Sequence, residues 1–69
     1  MHESVTMTVD GMHCERCVHS VESVLRALPG VLSVEVTLAS GRVDITYDAQ
    51  QCRVDAMRAA IEQAGFDVR

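Results

Sequence analysis

Two cysteines stand three positions apart in the stretch GMHCERC, Gly11 to Cys17, with His13 directly before the first of them. Thiolates are nucleophiles and soft metal ligands, so the pair admits three readings: a metal site, a redox couple, or two small apolar residues of a core. In a turn leading into a helix, C-x-x-C lets both sulfurs converge on one ion, and the positive potential of the helix N-terminus favours the thiolate form. Soft thiolates select Cu(I), Zn(II) and other thiophilic ions. Two ligands suit Cu(I), which accepts near-linear coordination, and leave Zn(II) short of the four it prefers. Such a site stays open to a third thiolate, which suits handing an ion on rather than storing it.

The other reactive side chains have simpler readings beside the chemical ones. His13 is a competent ligand for copper or zinc, and as a loop residue it is also expected to be solvent-exposed. His19 shares a polar helix face with Glu15 and Glu22, and His2 falls in a terminus expected to be mobile. Cys52 reads as a small buried hydrophobe. Met7 and Met57 alternate with apolar positions and read as packing. Three cysteines cannot all pair within one chain, and no basic, apolar leader precedes the first strand. A reducing, cytoplasmic setting is therefore expected, in which a C-x-x-C pair is a metal or catalytic site more often than a staple.

The elements that position the pair follow from periodicity. Val5, Met7 and Val9 alternate with Ser4, Thr6, Thr8 and Asp10, as in a half-buried strand. From about Glu15 to Leu28 the period becomes helical, with Val18, Val21, Leu25 and Leu28 in one stripe widened by Cys17 and Val24. Pro29 and Gly30 end that helix. Leu32, Val34, Val36 and Leu38 alternate, Ala39 to Gly41 form a hairpin turn, and Val43, Ile45 and Tyr47 alternate again. A second helix carries Val54, Met57, Ile61 and Ala64 on one face, entered from Arg53 where a Ser or Thr cap would be expected. Phe66 to Arg69 reads as a short last strand. The order β-α-β-β-α-β predicts an α+β, ferredoxin-like domain over residues 1–69, with four antiparallel strands and both helices on one face. In that topology the exit at Gly65 and Phe66 returns beside the cysteine loop, and Cys52 lies at the opposite end.

Composition narrows the function classes. The net charge is −4 with no lysine, which argues against a nucleic-acid surface. No apolar run approaches the length of a membrane span. Tyr47 and Phe66 are the only aromatic residues. The acidic balance is mostly a solvated surface that could also steer docking to a basic partner.

Within this frame GMHCERC resembles the G-M-x-C-x-x-C motif of the heavy-metal-associated domain family, and IEQAGFDV, Ile61 to Val68, resembles its C-terminal signature. The family includes small copper chaperones and the N-terminal domains of metal-transporting P-type ATPases. The resemblance covers essentially the whole chain. It implies Cys14 as the exposed ligand, Cys17 as the ligand in the first helical turn, Met12 as a core anchor of the loop, and Phe66 as an apolar shield over it. It also implies copper homeostasis as the role, with Cu(I) as cargo, a copper-transporting P-type ATPase as partner, and no enzymatic turnover. His13 departs from the usual Thr or Ser and keeps Zn(II) as the alternative ion. Phe66 leans toward the transporter-domain branch and the chain's own Met1 toward a free chaperone. The expected state is a monomer, although two open thiolate pairs could share copper across a dimer. A thiol–disulfide oxidoreductase is the reading from another class, weakened by the absence of Pro or an aromatic residue beside the motif and by a chain short for a thioredoxin-type fold.

Overall fold

Alternation along the first strand decides which way the sheet faces. Met7 and Val9 are buried while Thr6 and Thr8 are exposed, in the period-two pattern of a strand with one face covered. The computed structural model describes residues 2–69. The elements are β1 (His2–Asp10), α1 (Glu15–Arg26), β2 (Val31–Thr37), β3 (Arg42–Asp48), α2 (Val54–Gln63) and β4 (Asp67–Val68). All strand pairs are antiparallel, in the order β2-β3-β1-β4. This is the expected ferredoxin-like arrangement.

Both helices cover the same face of the sheet. Val21 and Leu25 of α1 and Met57 and Ile61 of α2 are fully buried with Val43 and Ile45 of β3. Full burial of one such side chain contributes about 1.5–3 kcal/mol. The other face is polar: Thr6 donates to Asp44 at 2.6 Å, and Ser4 lies 3.5 Å from Thr46 across the β1–β3 ladder.

Several expectations are corrected in detail. His2 is not in a loose terminus; it belongs to β1 and sits opposite Asp48. Helix α1 stops at Arg26, two residues before Leu28, because the residue preceding a proline is disfavoured in helical conformation. In β2 the pairing shifts from Val31 opposite Tyr47 to Ser33 opposite Thr46, so Leu32 is an extra residue in a β-bulge. The bulge turns Leu32 outward, 51% exposed, while Val31 packs against the core and Val34 is buried. Ala64 is the C-cap of α2 and is exposed rather than part of the buried stripe.

The end of α2 sets the path back toward the cysteine loop. Gly65 takes φ +98°, its N–H donates to Glu62 O at 3.0 Å, and Phe66 N–H donates to Ile61 O at 3.3 Å. This is a Schellman closure, in which a left-handed residue lets the chain reverse over its own last turn. At the other end of α2, Arg53 makes no side-chain cap, as its type predicts. Cys52 is buried just before that helix, with its N–H bonded to Asp48 O, and so lies at the His2 end of the sheet. Among the described residues no helix is long and apolar enough to cross a membrane.

Candidate metal centre

Residues 11–14 bridge the end of β1 and the start of α1. Gly11 opens the bridge at φ +98°, where the backbone turns away from the strand direction. Met12 is half-buried and packs against the core, which ties the middle of the loop down. His13 is exposed. Cys14 is the N-cap of α1 in extended conformation, φ −156° and ψ 174°, and its side chain makes no cap bond. Its carbonyl closes the first turn instead, accepting from Cys17 N–H at 3.0 Å and Val18 N–H at 3.3 Å. The Cys14 thiol is therefore free and exposed, while Cys17 is half-buried in the first turn.

The two sulfurs lie 3.9 Å apart, with the Cys14 thiol donating toward Cys17. A single ion can reach both, since two metal–sulfur bonds of about 2.3 Å each span somewhat more than that separation. The Cys17 thiol is held below the ordinary thiol range, chiefly by a hydrogen bond from the His13 backbone N–H. The Cys14 backbone N–H, the Cys14 thiol and the Arg16 charge act in the same direction against partial desolvation. The arrangement favours a thiolate at the helix N-terminus with a second thiol beside it.

Phe66 reaches this loop from the far end of the chain. A Cβ built on Gly11 would stand 3.6 Å from Phe66 Cδ1, so the ring rests on the loop's first residue. The expected return of the α2 exit to the cysteine end is thus present, and Cys52 is separated from it by the length of β1. Among the described residues no three His, Cys, Asp or Glu side chains gather closely enough to hold an ion, so His13 does not join the two thiols in such a group. A surface cleft lined by Leu28, Pro29, Cys52 and Arg53 lies at the opposite end of the sheet. Sequence reasoning missed the His13 backbone N–H as a determinant of the thiol pair, because a main-chain donor leaves no mark on residue type.

An exposed dithiol at the first strand-to-helix junction of a βαββαβ fold defines a class of small metal-handling domains, and comparison with known proteins agrees. The sequence profile of the heavy-metal-associated domain matches residues 6–67, and the chain belongs to that family. It is 42% identical over 66 residues to the copper chaperone CopZ of Bacillus subtilis strain 168, covering 96% of each chain. Among solved structures it resembles a CopZ metallochaperone with a TM-score of 0.96 and 39% identity, covering 97% of this chain and 100% of the other. A copper binding domain from a P-type ATPase superposes with a TM-score of 0.93 at 32% identity, covering 100% and 92%.

Proposed function

We propose that Cys14 and Cys17 hold one Cu(I) ion as thiolates, and that residues 1–69 act as a single cytoplasmic carrier domain. The carrier passes the ion to the cysteine pair of a metal-transporting P-type ATPase by thiolate exchange. The observation that carries this reading is the pair of sulfurs 3.9 Å apart on an exposed helix N-terminus with no third ligand gathered beside them among the described residues. Two soft donors meet the needs of Cu(I) and fall short of the four of Zn(II). The similarity to copper chaperones over nearly the full chain supports the same assignment.

The roles divide by exposure. Cys14, the more exposed of the two, is the sulfur an incoming thiolate reaches first, and Cys17 retains the ion in the first helical turn. Binding releases the thiol protons. Met12 anchors the loop to the core, and Phe66, packed on the core and against Gly11, would serve as the loop's apolar shield. His13 faces solvent and leaves the third position to the partner's sulfur. The ion moves down an affinity difference: metal–sulfur bonds to Cys14 and Cys17 break as bonds to the partner's thiolates form, no covalent substrate is turned over, and the protein acts as a carrier rather than an enzyme.

The test is an anaerobic Cu(I) titration of the reduced protein against a chromophoric chelator, with Zn(II) in parallel. One tightly held Cu(I), lost in Cys14→Ser and Cys17→Ser but kept in Cys52→Ser and His13→Ala, is the expected result. Tight Zn(II) binding that disappears in His13→Ala would move the protein to the zinc branch. Failure to hold either ion, together with catalysed insulin reduction, would replace the carrier reading with an oxidoreductase.

A further inference from the structure

Of the four strands, β4 is the shortest, and it follows directly on Phe66. It pairs two residues only, Val68 with Val9 and Asp67 with Asp10. A strand this short at a sheet edge has few backbone bonds to resist opening. One of its two pairs sets Asp67 opposite Asp10, like charges across antiparallel strands, which weakens the docking further.

Arg69 supplies the opposing interaction. Its backbone N–H donates to Thr8 O at 2.8 Å, and its Nε donates to Asp10 Oδ2 at 2.7 Å. Among the described residues this is the only side-chain hydrogen bond or ion pair that joins β4's end of the chain to β1. Asp10 immediately precedes Gly11, and Phe66 immediately precedes β4. The pair therefore fastens the first residue before the loop to the segment that carries the ring.

We propose that Asp10 and Arg69 form a latch that keeps β4 docked on β1, and thereby keeps Phe66 packed over Gly11 and the cysteine loop. Both side chains are exposed, 71% for Arg69 and 45% for Asp10. An exposed ion pair is weak and screened by salt, so the latch biases the docked state by a few-fold rather than locking it. The consequence for ion transfer, a loop covered at rest and uncovered on contact with a partner, rests on the carrier reading above. The latch itself does not.

The test uses reduced, metal-free protein and iodoacetamide. Labelling of Cys14 and Cys17 is followed site by site at the alkaline plateau of the rate, where both thiols are ionised and charge effects on ionisation drop out. Arg69→Gln is expected to raise the plateau rate at half-buried Cys17 about two- to five-fold, the range an exposed ion pair supports, and Asp10→Asn, which also relieves the repulsion from Asp67, to raise it by less. They should also speed hydrogen exchange of the amide at position 69, which bonds to Thr8. Phe66→Ala sets the rate for an uncovered loop. High salt should bring the wild-type rate up toward that of Arg69→Gln, in which only the repulsion between Asp10 and Asp67 is left to screen. Arg69→Lys should recover most of the protection. Equal plateau rates in wild type and both single variants, with no salt response, would overturn the latch whether or not the protein binds Cu(I). Latch behaviour in a protein that holds no Cu(I) would leave the latch standing and remove the carrier reading alone.

Discussion

Phe66 Cδ1 stands 3.6 Å from the position a Cβ would take on Gly11, although 55 residues of chain separate them. The contact joins the start of the cysteine loop to the turn after α2, and both of its anchors are glycines in left-handed conformation. Gly11 and Gly65 each have φ +98°, yet a Cβ on Gly65 would meet nothing within 4 Å. The two positions share the same φ, and only Gly11 has the ring as a neighbour. Gly11→Ala and Gly65→Ala are each expected to lower unfolding stability by about 1–2 kcal/mol, the left-handed penalty of an L-residue. The two losses should agree closely, because 3.6 Å is an ordinary contact distance. Gly11→Val should lose clearly more than Gly65→Val, since the branched chain must displace the ring. Urea midpoints of the four variants decide this, and a Gly65 loss larger than that at Gly11 would contradict the packing of Phe66 on the loop.

The lowered Cys17 thiol gives a pH profile with a definite sign. A group whose pKa is depressed in the folded chain is ionised at lower pH than in the unfolded one, and its contribution to stability is lost as pH falls through the folded value. Cys17 alkylation, measured in Cys14→Ser to isolate one thiol of the pair, should reach half its maximum at lower pH in native protein than in urea. The leading cause is a backbone N–H, so His13→Ala should leave the midpoint in place even though it removes the imidazole. Arg16→Gln should raise it only slightly, since the Arg16 charge is the smallest of the causes. A large upward shift in His13→Ala would assign the effect to the side chain instead.

The bulge in β2 separates two leucine-like positions that simple alternation treats alike. Leu32 is an exposed apolar residue, and Val34, two positions on, is buried. Leu32→Thr should change stability by no more than about 0.5 kcal/mol, as for ordinary surface substitutions. Val34→Ala should lose about 2 kcal/mol, at the low end for truncating a buried aliphatic chain. Comparable losses at both positions would mean that the strand runs without the bulge.

Much of this geometry is legible in residue order. Period-two alternation at Val5, Met7 and Val9 and the helical stripe at Val18, Val21 and Leu25 define elements because each pattern buries one continuous face. The cysteine pair is visible for the same reason: its spacing and its place between strand and helix both carry meaning. The return of Phe66 beside the loop follows from counting strand directions. What escaped has a common origin in features without a residue-type signal. The Leu32 bulge depends on pairing register with β3, which strand alternation alone does not specify. The ordering of His2 depends on its partner Asp48, a contact 46 residues away in sequence. The Asp10–Arg69 pair is equally non-local, and neither charge is unusual in its own neighbourhood.

Cys52 offers the complementary pH test at the other end of the sheet. It is buried, its sulfur lies 3.8 Å from Arg53 O, and burial pushes its thiol above the ordinary range. With a raised folded-state pKa the native chain keeps a proton that the unfolded chain releases. The contribution is thus fully present below the unfolded thiol pKa and is lost as pH rises through the folded value. This sign is opposite to that of Cys17, so the two thiols act on opposite flanks of the alkaline stability profile. Cys52→Val is expected to flatten the decline in unfolding free energy at alkaline pH. Cys17→Ser should instead remove the rise that precedes it. Any constant effect of the valine methyls on packing shifts the whole curve and leaves its slope untouched, so the readout is the pH dependence rather than the midpoint at one pH. Denaturant titrations across the thiol range measure it directly. An unchanged alkaline slope in Cys52→Val would show that Cys52 ionises as freely in the folded chain as in the unfolded one, and that the core admits water where the structure closes it.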